Sequence, residues 1–380
     1  MKRLIAPTAS MLCLLTLPLL AADNPTLALG AAAPDFSLPA TDGKTYSLKD
    51  FGQARILAVI FNSNHCPTAQ AYEDRIIKLT SDYKDKGVAV VVINPNSNKG
   101  LRLDELGYTD LADSLPEMKL RAEYKKFNFP YLDDGETQTV SRAYGCKVTP
   151  HAFLFDTERK LRYVGRIDDN EREEHMKVQD LRNALEEMLA GKTVSVAQTK
   201  ATGCSTKWAD KEASVKQWMA KVAAEPVTLD PIDEAGLKEL RKGNPEKLRL
   251  VNFWNTTCGP CVAELPDLVT INLMYRHRAF EMVTVTTNFP DEKKEALAIL
   301  TKKQCSMKNL IFAGTDKYKH MAAFDPDWDG GIPYTALINT KGEIIKKYNG
   351  EIDPLELKRI IVKTLKEMNN GAVMDAPKKK

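Results

Sequence analysis

Cysteine is scarce in this chain, at 7 of 380 residues, too few for a scaffold stapled together by disulfides. An excess of one charge is missing as well. With 54 Lys and Arg against 51 Asp and Glu the formal charge is only +3, so there is no basic field for a polyanion and nucleic acid is not an expected partner. Beyond the N-terminus no run approaches the roughly 20 apolar residues that span a bilayer, which argues against stable membrane insertion. A second Cys-x-x-Cys or paired-His spacing, as a zinc site needs, is also lacking. No metal and no cofactor are therefore expected.

What is present looks soluble and folded, with hydrophobic residues at 43% and charged residues at 28%, and the length suggests two domains. Lys2 and Arg3 precede an apolar run from Met11 to Leu20 and then Ala21-Ala22 before Asp23. This is the layout of a cleavable secretory signal, read over residues 1–22, and it implies a periplasmic or otherwise exported protein. Cys13 leaves with that segment. Cys66, Cys146, Cys204, Cys258, Cys261 and Cys305 remain, and in an oxidising compartment so few cysteines fit redox chemistry or isolated bridges better than a framework.

The two halves of the chain repeat each other. An apolar run at 55–61 ends five residues before Cys66, and another at 248–253 ends five residues before Cys258. Each reads as a buried central strand followed by a helix, which places both cysteines at a strand-to-helix junction. Further strands are read at 88–93 and 280–286. Val148-Thr149-Pro150 then leads into a strand at 151–155, and Gly331-Ile332-Pro333 into one at 334–338. Closing helices are read at 176–189 and 354–368.

At the start of a helix, unpaired N–H groups and the positive helix end stabilise a thiolate, so in Cys258-Gly259-Pro260-Cys261 the first sulfur is the expected nucleophile and Cys261 the resolving thiol. A structural disulfide or half of a zinc site is the bland alternative. The order strand, cysteine, helix, strand, connection, proline, hairpin, helix resembles the thioredoxin fold, which implies an α/β chain of two tandem domains, each a mixed central sheet flanked by helices. The segment from Cys258 to Pro266 resembles the TlpA branch of that superfamily. The resemblance implies an exported enzyme that reduces disulfides in other proteins, fed by a membrane thiol-electron transporter. It also implies that Ile332 and Pro333 form the cis-proline loop beside the cysteines, where Gly259, Pro260 and Ile332 meet the substrate backbone. The sequence departs from the pattern at Thr257, where a Trp is usual, and at Asn252, where thioredoxin has a buried carboxylate. Glu264 is the nearest substitute for proton transfer to Cys261.

In the first half Asn64-His65-Cys66-Pro67, with Ala33-Pro34-Asp35-Phe36 upstream, resembles the peroxiredoxin-like (AhpC/TSA, redoxin) group. Ala69 occupies the place of a second motif cysteine, where true peroxiredoxins keep the peroxidatic one, so thiol peroxidase activity is not expected. Thr149 and Pro150 would form the matching cis-proline loop. Cys146, four residues before Pro150, is a candidate partner for Cys66 or a buried hydrophobic residue. Cys204 is a candidate resolving thiol or a packed residue. A soft-metal site from Cys66, Cys146, His65 and His151 is a further reading. Cys305 is assigned to the core.

These readings divide the chain into a leader at 1–22, a peroxiredoxin-like domain at 23–194, an ordered linker at 195–226, a TlpA-like domain at 227–370 and a basic tail at 371–380. The expected function is thiol-disulfide exchange with protein thiols through Cys258 and Cys261, the first domain acting as electron relay or recognition module. The rival is a non-catalytic adaptor or copper-binding protein.

Overall fold

The structure, a computed structural model, describes residues 25–374. The expected leader at 1–22 and residues 375–380 lie outside the described residues. The first half runs through the hairpin β1 (Ser37–Pro39) and β2 (Thr45–Ser47), then β3 (Ile56–Phe61), α1 (Pro67–Tyr83), β4 (Val88–Asn94), α2 (Leu115–Lys125), β5 (Tyr131–Asp133) and α3 (Thr139–Tyr144). It closes with β6 (Val148–Thr149), β7 (His151–Phe155), β8 (Leu161–Gly165) and α4 (Asp180–Leu189). Its five-stranded sheet has the order β5-β4-β3-β7-β8, with β3 parallel to β4 and antiparallel to β7.

The run at the centre of this sheet is apolar throughout because both of its faces are covered. Ile56, Ala58 and Ile60 face one core with Ile76, Leu79 and Leu181, while Leu57, Val59 and Phe61 face the other with Phe36, Tyr144 and Cys146. Successive side chains of a strand point to opposite faces, so one short segment anchors both layers.

A strand β9 (Cys204–Ser205) and a helix α5 (Glu212–Ala223) join the halves. The second half then comprises β10 (Asp230–Ile232), α6 (Glu234–Arg241), β11 (Leu248–Trp254), α7 (Gly259–Tyr275), β12 (Phe280–Thr286), α8 (Lys293–Lys302), β13 (Lys308–Phe312), α9 (Lys317–Phe324), β14 (Tyr334–Ile338), β15 (Ile344–Asn349) and α10 (Pro354–Met374). Its six-stranded sheet has the order β10-β13-β12-β11-β14-β15. Each half is thus a mixed sheet flanked by helices, as the internal repeat leads one to expect. Helix α10 continues to Met374, into the stretch read as a tail. Pro266 lies inside α7 without ending it.

The halves pack against one another. Leu101 and Leu106, from the connection between β4 and α2, share a buried cluster with Leu265, Leu268 and Met274 of α7. The Tyr275 hydroxyl donates to the Thr109 carbonyl at 2.8 Å and the Arg278 guanidinium to the Gly107 carbonyl at 2.9 Å. Asp110 pairs with Arg121 of its own domain at 3.3 Å and with Arg359 of α10 at 3.1 Å.

Candidate functional site

Strand β11 delivers the chain to Cys258, whose residue is the N-cap of α7 and whose sulfur accepts from the Cys261 N–H at 3.3 Å. The loop before it is pinned: Asn255 Oδ1 accepts from the Thr257 N–H at 3.0 Å and Asn288 Oδ1 from the Thr256 N–H at 3.1 Å. Cys258 and Cys261 are joined as a disulfide with Cα atoms 5.3 Å apart. Cys261 is fully buried, Cys258 is half-buried, and Gly259 and Pro260 are exposed. An incoming group therefore meets Cys258 first. The first turn of α7 carries no acidic side chain, so nothing local opposes the helix end in stabilising a thiolate there.

The loop ahead of β14 brings Ile332 and Pro333 to the pair. The Ile332–Pro333 bond is cis, and the Ile332 carbonyl oxygen lies 3.8 Å from Cys258 Sγ. On the strand that leads to Cys258, Asn252 shares a face of β11 with Leu250 and Trp254, and its amide donates to Glu264 Oε1 at 2.8 Å and to Thr335 at 2.9 Å. The Ile352 N–H donates to Glu264 Oε2 at 3.2 Å. Burial holds the Glu264 carboxyl above the ordinary range, and these two hydrogen bonds only partly offset it. It is thus a protonatable group one helical turn from Cys261.

In the first domain Cys66 is the N-cap of α1 and its sulfur accepts from the Ala69 N–H at 3.4 Å. The preceding residues are fastened by one buried carboxylate. Asp113 Oδ1 accepts from the Asn64 N–H at 2.7 Å, while its other oxygen meets the His65 ring and the Asn96 amide, the latter at 3.1 Å. Burial works against the charged His65 ring, but the Asp113 charge and hydrogen bond together with the neighbouring Cys66 sulfur outweigh it, and the ring holds its proton above the usual range. The Thr149–Pro150 bond is cis, and the Thr149 carbonyl lies 3.3 Å from Cys66 Sγ.

The structure does not bring Cys146 to Cys66. The Cys146 thiol contacts the Val148 carbonyl at 3.4 Å and Thr206 at 3.8 Å and packs with Tyr144 and Phe61, and burial pushes it up to about 12. Its side chain is built into the core cluster of the first domain. The residue against Cys66 is Cys204, whose backbone N–H donates to Cys66 Sγ at 3.4 Å. Among the described residues no group of three or more His, Cys, Asp or Glu is placed to hold a metal, and this corrects the soft-metal reading of Cys66, Cys146, His65 and His151. His65 is committed to Asp113, and the His151 ring lies tilted against Phe153 at 4.5 Å between ring centres. Cys305 is buried in the second core. Sequence reading missed Asp113, Asn96 and Lys207, which meet this site from distant segments without any local motif.

Residues 29–164 match the model of the AhpC/TSA family and residues 210–361 that of the Redoxin family. The thiol-disulfide oxidoreductase ResA of Halalkalibacterium halodurans is 28% identical over 100 residues, 26% of this chain and 52% of that protein. The chain thus spans about half the length of that relative. The thiol:disulfide interchange protein HelX of Rhodobacter capsulatus is 29% identical over 150 residues, covering 36% of this chain and 77% of its own. A crystal structure of a hypothetical protein from Sinorhizobium meliloti is 35% identical, with a TM-score of 0.43, and covers 48% of this chain and 96% of its own.

Proposed function

The chain belongs to the thioredoxin superfamily, with an AhpC/TSA-type domain followed by a redoxin domain, and on that premise we propose that it is an exported thiol-disulfide oxidoreductase that reduces disulfides in partner proteins. The observation that carries this reading is the Cys258–Cys261 disulfide at the start of α7, with an accessible outer sulfur and a buried inner one.

In the reduced form Cys258, as a thiolate, attacks one sulfur of a partner disulfide and expels the other as a thiolate, which takes up a proton. Cys261 then loses its proton and attacks Cys258 Sγ, which breaks the mixed disulfide and frees the second partner thiol. Two electrons pass to the partner and the disulfide seen here is the product. Glu264 serves as the acceptor of the Cys261 proton, a task suited to a carboxylate whose proton affinity is raised by burial. Thr257, Gly259, Pro260 and the Ile332 carbonyl edge form the surface that receives the partner backbone. A membrane thiol transporter restores the dithiol, and the first domain acts as a relay or a recognition module. Thr149 and Pro150 shape its corresponding loop.

Among the described residues no helix is long and apolar enough to cross a membrane. Insulin reduction by dithiothreitol, with wild type set against Cys258→Ser, tests the proposal. Acceleration by wild type and none by the variant is expected, and equal rates reject it.

A further inference from the structure

The linker is built into the first domain. After α4 the chain lies along β8, with Val164 and Gln198 bridged, and then crosses the end of the sheet as β9, which pairs antiparallel with β6. In that ladder Cys204 stands opposite Thr149 and Ser205 opposite Val148. Further on, the Lys207 N–H donates to Asn96 Oδ1 at 2.8 Å and the Lys207 carbonyl accepts from the Ser97 N–H at 2.9 Å. The approach is close enough to demand glycine: a Cβ at Gly203, where φ is +153°, would stand 1.9 Å from the Thr149 carbonyl oxygen. Cys204 is thereby held over the cysteine at the start of α1.

We propose that Cys66 and Cys204 form a second thiol-disulfide exchange centre, with Cys204 as the outer, partner-facing cysteine carried in by the linker and Cys66 as the inner one. The first domain has no Cys-x-x-Cys because the second sulfur arrives from 138 residues away instead of three. Exposure sets the roles, since Cys66 is fully buried and Cys204 is half-buried. The leaving-group chemistry of the oxidised pair agrees with them. The neighbouring Cys204 thiol lowers the Cys66 titration and has its own raised, and the Ala69 and Cys204 N–H groups, each 3.4 Å from Cys66 Sγ, stabilise the same thiolate. A stabilised thiolate is the better leaving group when an entering thiolate opens the bridge at Cys204. In the other direction Cys204 gives up its proton as it attacks a disulfide, expels one thiolate, which takes that proton, and holds the other half as a mixed disulfide. Cys66 then attacks Cys204 Sγ and releases the second thiolate. Two electrons and one thiol proton pass from the pair to the disulfide, and the second released thiolate takes its proton from solvent.

This centre rests on the atoms of the first domain and not on the chemistry of Cys258 and Cys261, so either assignment can fail alone. Oxidised glutathione serves as the probe on the full chain, in wild type and in the Cys258→Ser/Cys261→Ser variant, followed by alkylation and peptide mapping. Both proteins are expected to yield a peptide pair linked through Cys66 and Cys204, in a proportion that follows the square of reduced over oxidised glutathione as a two-electron couple requires. The Cys66→Ser variant should accumulate glutathione on Cys204, at least tenfold more than Cys204→Ser accumulates on Cys66. A Cys66–Cys146 linked pair, or both cysteines recovered singly at high oxidised glutathione in wild type, overturns the centre. Glutathione held on Cys66 rather than Cys204 overturns the roles.

Discussion

Asn252 donates its side-chain amide to Glu264 Oε1 at 2.8 Å, across the buried space between the central strand β11 and helix α7. The pair puts an acid on α7 where the strand itself supplies only an amide.

Replacement of Glu264 by Gln keeps the shape and removes the titration. Because burial raises this carboxyl in the folded state, its contribution to stability is complete below the unfolded value near 4.5 and is lost as pH rises through the folded one. Glu264→Gln is therefore expected to be as stable as wild type or more so at pH 7, and relatively less stable at pH 4. Denaturant midpoints at the two pH values check this. Turnover with insulin should fall by about 10²-fold, the usual scale for a lost proton-transfer group.

Cys261→Ser separates attack from resolution. The half-buried Cys258 still reaches its partner, so the variant should hold a mixed disulfide visible as a mass shift, while multiple-turnover reduction drops on the order of 10³-fold or more. Partner captured by Cys258→Ser instead would reverse the two roles.

His151 predicts an acid limit for the first domain. It is buried with no partner for Nδ1 among the described residues, and burial pushes its titration down to about 4 from an ordinary 6.5. Its contribution is present above pH 6.5 and is lost as pH falls through that value toward 4, reaching about 3 kcal/mol once the ring is fully charged. His151→Phe should flatten the decline in urea stability between pH 6.5 and 4. An unchanged slope would place the acid sensitivity elsewhere.

The interface between the domains is tested by Tyr275→Phe. The variant loses the bond to the Thr109 carbonyl and leaves that buried acceptor unpaired, a cost of about 1–3 kcal/mol. Two separate thermal transitions are the expected sign, one per domain, where wild type melts in one.

The sequence was most legible where partners are close along the chain. Cys258 and Cys261 lie within one helical turn, and the register of the two halves located both strand-to-helix junctions and both prolines. Cys66 was harder, because its neighbours come from afar: Asp113 approaches from the connection after β4, and Cys204 from beyond α4. Cys146 drew attention through its nearness to Pro150, yet its side chain turns into the core with Tyr144, a choice of face that spacing alone does not reveal. Strand β10 escaped notice because Pro231 speaks against a strand interior. It is accommodated because β10 is the edge of its sheet.

Strand β8 is an edge strand of the first sheet, and the segment around Gln198 covers it: the Val164 N–H donates to the Ala197 carbonyl and the Thr199 N–H to the Val164 carbonyl, each at 3.0 Å. Gly165 makes room for this, since a Cβ there would stand 2.1 Å from the Thr199 hydroxyl. A protease nick before Gln198 would thus do more than sever two halves. It would bare a row of main-chain donors and acceptors on which a neighbouring molecule could template itself, and the liberated fragment would be prone to stack edge to edge.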